Sequence, residues 1–128
     1  MIEIKEVPLE NREKIKNFCS VNNVPFNADA ISHVVLDGSN ILGVAQIKIE
    51  NGIAEILSIF VKEEYRNMGL GDGLLKMQIN YCYRNSISFV KVKKGLNDNF
   101  FKRVGFVEEG VYLVLDVQAF YANLKCQQ

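Results

Sequence analysis

Val61-Lys62-Glu63-Glu64-Tyr65-Arg66-Asn67-Met68-Gly69-Leu70-Gly71-Asp72-Gly73 is the stretch that decides the fold of this chain. An apolar run ends at Val61, a short polar stretch follows, and Gly69, Gly71 and Gly73 crowd the point where a helical pattern begins. Leu70, Leu74, Met77 and Tyr81, supported by Leu75 and Cys82, recur at the spacing of an amphipathic helix, which predicts a helix from Gly69 to about Arg84. A glycine inside a helix costs about 0.8 to 1 kcal/mol relative to alanine, so glycines in a first turn imply close approach to the backbone. The first amides of a helix lack internal acceptors, and the helix dipole favours an anion there. Gly69, Leu70, Gly71, Asp72 and Gly73 can therefore offer N–H groups to a phosphate, with Arg66 as a flanking cation. Tight packing of the helix start on the strand is the competing reading of the same glycines.

Two familiar phosphate loops do not fit. A Walker A loop requires Lys followed by Ser or Thr after its last glycine, where this chain has Leu74-Leu75. A dinucleotide fingerprint requires Gly at position 74 and an acidic residue near position 91, which is Lys91.

Working back from Val61, the run from Ile53 is apolar on both alternating sets, which predicts a central strand covered on both faces. Asn51-Gly52 before it is the dipeptide best suited to a tight hairpin turn. Ile41 to Ile49 alternates Ala45, Ile47 and Ile49 against Gln46, Lys48 and Glu50, and Asp37-Gly38-Ser39-Asn40 turns it back to Val34-Val35-Leu36. A short strand at Ile2 to Val7, an amphipathic helix within Leu9 to Val21 and a loop or short helical turn from Val24 to Ala30 complete the N-terminal part. Beyond the long helix, Ile87 to Val92 reads as a strand, Asn97 to Val104 as a short helix, and Phe106 to Val117 as a strand pair turning near Gly110. The order β-α-β-β-β-α-β-α-β-β predicts a mixed α/β (α+β) fold.

The 128 residues suit one domain over 1–128, and 15 Lys plus Arg balance 15 Asp plus Glu. Zero net charge argues against nucleic acid or an anionic membrane as partner, since the largest basic cluster is Lys91, Lys93 and Lys94. No stretch approaches the roughly 18 to 20 apolar residues of a membrane span, and Met1 to Glu6 lacks the pattern of a signal peptide. A cytoplasmic protein is expected. Cys19, Cys82 and Cys126 are widely spaced without a His cluster, so neither a disulfide framework nor a metal site is expected.

Arg66-Asn67-Met68-Gly69-Leu70-Gly71 resembles the Arg/Gln-x-x-Gly-x-Gly/Ala pyrophosphate signature of the GNAT superfamily of N-acetyltransferases. Phe100-Phe101-Lys102-Arg103-Val104-Gly105-Phe106 is similar to that family's later helix, which ends in Gly-Phe. The resemblance runs from about Ile41 to Val117. It implies a mostly antiparallel sheet flanked by helices, with acetyl-CoA as cosubstrate, no metal, and a small-molecule or peptide amine as acceptor.

By the same resemblance, two neighbouring parallel strands splay to admit acyl-CoA. Backbone groups of Ile59, Phe60 and Val61 would bond the pantetheine arm, and the loop from Arg66 and Asn67 through the amides of Met68 to Gly73 would hold the pyrophosphate. Asn97 or Asn99 falls where a family Asn contacts the cofactor. Glu55 matches the general-base position of the histone-acetylating branch; on an apolar strand, partial burial would raise its pKa, and the alternative is a solvated Glu after the turn. Phe101 stands where many members carry a Tyr general acid, leaving Tyr112 and Tyr65 as candidates. A non-catalytic acyl-CoA-binding domain is the alternative function, and the tail with Phe120, Tyr121 and Leu124 leaves monomer or homodimer open.

Overall fold

Asn51 and Gly52 both take positive φ, 52° and 77°, the pair of left-handed residues that a two-residue hairpin turn needs. They join two strands of a seven-stranded sheet in a computed structural model that describes residues 1–126. The elements are β1 (Ile2–Glu6), α1 (Arg12–Val21), β2 (Ile31–Asp37), β3 (Asn40–Glu50), β4 (Ile53–Val61), α2 (Leu70–Arg84), β5 (Phe89–Lys93), α3 (Asp98–Val104), β6 (Val107–Glu109), β7 (Tyr112–Asp116) and α4 (Val117–Cys126). Strand order is β1-β2-β3-β4-β5-β7-β6. The β4–β5 pair is parallel, as a helical crossover requires, while β1–β2, β2–β3, β5–β7 and β6–β7 are antiparallel.

By internal contacts the chain divides into two units. Residues 1–48 and 57–78 form the first. There β2 and β3 are buried on both faces: Ile15 and Cys19 of α1 pack with Val34 and Val44, and Leu74 of α2 packs with Val35, Leu42, Ala45 and Val61. The Lys62 N–H donates to the Leu42 carbonyl at 2.9 Å, tying the exit of β4 to β3.

Residues 49–56 and 79–128 form the second unit. Ala54, Ile56, Val90, Val92, Leu113 and Leu115 are buried, and Phe101 and Phe106 join that core. The alternate residues of the same strands lie open. Ile53 is 40% exposed and Phe89 43%, with Glu55, Lys91 and Tyr112 half-buried among them. The start of β4 is therefore not covered on both faces as its apolar sequence predicts. Helix α4 is a further departure, because the elements predicted from the sequence end at Val117. Asp116 accepts the Ala119 N–H at 3.1 Å at its start, and Tyr121 packs on α2 through the Tyr83 ring, 4.1 Å between centroids, and Asn80.

Candidate active site

Between β4 and α2 the backbone turns through Arg66 in an extended conformation, Asn67 at φ 65° and Gly69 at φ 79°. Left-handed residues cost an ordinary side chain roughly 1–2 kcal/mol; Asn and Gly are the types that visit this region readily. The turn delivers the chain into the 15-residue helix α2. The Gly73 N–H donates to the Gly69 carbonyl at 3.0 Å, whereas the amides of Leu70, Gly71 and Asp72 donate to no backbone carbonyl among the described residues. Several convergent donors at the positive end of a helix fit a diphosphate. The Asp72 carboxylate near this site is paired with Lys76 at 2.8 Å.

Gly73 has a different reason for being glycine. A Cβ there would lie 2.5 Å from Cδ1 of Ile4, so its bareness lets α2 settle on β1. The packing reading of the glycines applies at this position, and the anion reading at the preceding amides.

Arg66 is braced on the end of β4. Its Nε donates to the Val61 carbonyl at 2.8 Å and the guanidinium lies 5.5 Å from the Phe60 ring centroid, a cation–π distance. The remaining guanidinium N–H groups have no hydrogen-bond partner among the described residues. Met68 is exposed and Ile59 packs against the Leu74 cluster.

Glu55 in β4 is the register partner of Lys91 in β5, and Lys91 that of Val114 in β7. The Lys91 ammonium lies 4.4 Å from the Tyr112 ring centroid. Glu55 and Tyr112 thus flank one lysine on the open face of the second unit. Phe101 is buried between the rings of Phe100 and Phe106, at centroid distances of 5.1 and 5.3 Å. Asn97 and Asn99 are exposed at the start of α3; the Asn97 carbonyl accepts the Phe100 N–H at 3.1 Å while its side chain does not cap the helix.

One polar residue was hidden by its strand pattern. Gln46 is fully buried, its Nε2 donating to the Pro25 carbonyl at 2.7 Å and to Ser58 Oγ at 2.8 Å while Oε1 accepts the Asn27 N–H at 2.8 Å. Together with the Arg12 guanidinium bonded to the Ala28 carbonyl, it fastens the loop 24–30 to β3, β4 and α1. His33 is also fully buried, its Nδ1 3.3 Å from Gln78 Nε2. Glu108 is held below the usual carboxylate range by its hydrogen bond and charge interaction with Lys102, with Lys94 adding to it. Burial raises the thiols of Cys19 and Cys82. Among the described residues, no cluster of three or more potential metal ligands occurs and no helix is long and apolar enough to cross a membrane.

Residues 28–108 match the family model described as acetyltransferase (GNAT) domain. The fold agrees with solved structures of such enzymes. The ribosomal-protein-S18-alanine N-acetyltransferase of Escherichia coli superposes with a TM-score of 0.74 at 12% identity, over 91% of this chain and 94% of that one. A GNAT-family acetyltransferase from Staphylococcus aureus Mu50 gives 0.69 at 17% identity, over 91% and 99%. The PaiA N-acetyltransferase of Thermoplasma acidophilum, solved in complex with coenzyme A, gives 0.64 at 18% identity, over 89% and 97%. No curated protein matches the chain by sequence. The chain belongs to the GNAT acetyltransferase family and is an acyltransferase.

Proposed function

We propose that the protein transfers an acetyl group from acetyl-CoA to a primary amine of a small molecule or peptide by direct attack in a ternary complex, and acts in the cytoplasm. The observation that carries this reading is the set of free amides at Leu70, Gly71 and Asp72 behind the Asn67 and Gly69 turn. These amides, with those of Met68 and Gly69 and the unengaged N–H groups of Arg66, hold the pyrophosphate. Backbone groups of Ile59, Phe60 and Val61 hold the pantetheine arm, and Asn97 or Asn99 supplies a further contact. The cosubstrate contributes a thioester carbonyl and a thiol leaving group.

Glu55 acts as general base, taking a proton from the acceptor ammonium so that the nitrogen lone pair becomes available. Tyr112 is the candidate acid for the departing thiolate. Phe101 has no proton to give, and its burial between two rings supports the second reading, an acyl-CoA-binding domain without catalysis. Incubation with acetyl-CoA and a panel of primary amines, read by release of free thiol, separates the two. Thiol release with at least one amine is expected; tight cofactor binding with no turnover of any amine would select the binding domain instead.

A further inference from the structure

Glu55 and Lys91 carry opposite charges at one register step of the β4–β5 pair, where neighbouring strands run about 4.8 Å apart. They do not close into an ion pair. Among the described residues the Glu55 carboxylate has no hydrogen bond or ion pair, and the only interaction of the Lys91 ammonium is with the Tyr112 ring. Buried Ala54 and Val90 on the opposite face fix the two backbones in place. Two positions earlier, Ile53 and Phe89 are register partners and form an exposed apolar shelf. The other charges nearby are separately placed: Asp116 accepts the Ala119 N–H, and Lys93 and Glu109 are exposed on either side of Tyr112 in the β5–β7–β6 register.

We infer that this face selects an amino acid with an apolar side chain as the acceptor, its ammonium at Glu55, its carboxylate at Lys91 and its side chain on Ile53 and Phe89. An ammonium and a carboxylate on one carbon match two unpaired opposite charges on adjacent strands. A plain amine leaves Lys91 without a counter-ion, and a peptide terminus presents an amide where the carboxylate is required. The inference rests on the acetyl-transfer reading and narrows it. Glu55 accepts one ammonium proton, the N–C bond forms as the C–S bond breaks, Tyr112 protonates the departing thiolate and recovers the second nitrogen proton through water, and Glu55 returns its proton to solvent. Lys91 is a specificity residue here and moves no proton.

The full chain, loaded with coenzyme A, is titrated by NMR with phenylalanine, phenylalanine amide and phenethylamine, and again as Lys91→Met, Lys91→Gln and Lys91→Arg. A charged hydrogen bond contributes about 1.5 kcal/mol or more, so phenylalanine should bind about tenfold tighter than either analogue. Lys91→Met and Lys91→Gln should erase that margin and Lys91→Arg should keep most of it, a pattern that a purely structural lysine would not produce. Equal binding of the three ligands, no binding of phenylalanine, or a margin that survives loss of the lysine charge overturns the inference. Thiol release is followed in parallel. Turnover of phenethylamine without preference for phenylalanine overturns the inference alone, while no thiol release with any amine overturns the acetyl-transfer reading beneath it.

Discussion

A methyl group added to Gly43 would stand 2.8 Å from the carbonyl oxygen of Phe60 and 3.2 Å from Cγ2 of Val61. The β3 backbone therefore presses directly on the part of β4 proposed to hold the pantetheine arm. Backbone cannot rotate away as a side chain tip can, so Gly43→Ala should destabilise the protein by about 1–3 kcal/mol, the usual range for overpacking. It should also weaken coenzyme A binding by displacing Phe60. Urea denaturation and calorimetric titration check the two effects.

Gly73→Ala should behave in the opposite way. The atom in its path is the far end of the Ile4 side chain, on a strand at the sheet edge, and can turn aside. Alanine gains up to about 1 kcal/mol of helix propensity over glycine, less the cost of the new Ile4 rotamer. Because the Gly73 N–H already donates to Gly69, coenzyme A affinity should stay within about twofold, less than 0.5 kcal/mol. A large loss of affinity in a folded Gly73→Ala protein would mean that the cofactor, and not only Ile4, approaches this Cα closely.

Removing Gln46 leaves the Pro25 carbonyl, the Asn27 N–H and Ser58 Oγ without the partner they share. A buried polar group left unsatisfied costs about 1–3 kcal/mol; Pro25 is exposed and Asn27 and Ser58 are half-buried, so Gln46→Leu should lose about 1–3 kcal/mol in urea. The loop 24–30 should loosen, seen as faster amide exchange at Asn27. Gln46→Glu keeps the acceptor but buries a carboxylate against the Pro25 carbonyl, so it should lose at least as much as Gln46→Leu.

Glu55→Gln removes the proposed base while retaining size and polarity. General-base catalysis contributes typically about 100-fold or more, so kcat from thiol release should drop by about that factor with little change in coenzyme A affinity. An unchanged kcat would exclude Glu55 from proton transfer.

Burial pushes the Cys82 thiol up to about 11 from 9.0. The unfolded chain therefore releases this proton at lower pH than the folded one. Its contribution to stability is intact below pH 9.0 and is lost as pH rises from there to about 11. Native protein at pH 9 should leave Cys82 unmodified by iodoacetamide, as read by peptide mass mapping, and denaturant should make it reactive. Modification under native conditions would contradict the burial.

Much of the architecture is readable from local rules. Asn51-Gly52, the alternation of β3, the Leu70–Tyr81 periodicity and the crowded glycines each depend on neighbours in sequence. What escapes them depends on partners far along the chain. Gln46 occupies a polar position in an alternating strand and reads as solvent-facing, but the loop 24–30 covers that side and supplies its hydrogen bonds. Ile53 reads as covered, although the second unit leaves that face open. Helix α4 did leave a signal, since Asp116 stands at the N-cap and Phe120, Tyr121 and Leu124 follow at helical spacing. In the candidate site, the amide donors follow from the glycines, while the Glu55–Lys91 register depends on how β5 returns to β4.

The parallel pairing of β4 with β5 also sets an order of events in time. β2, β3 and β4 meet through short turns, contacts of small sequence separation that form quickly. β5 reaches β4 only after the residues from 62 to 88 are ordered, a long loop closure whose entropy must be overcome before the strands can register. Glu55 and Lys91 therefore come together late, so a chain arrested before that step can possess its hairpins and still lack the paired charges that the acceptor requires.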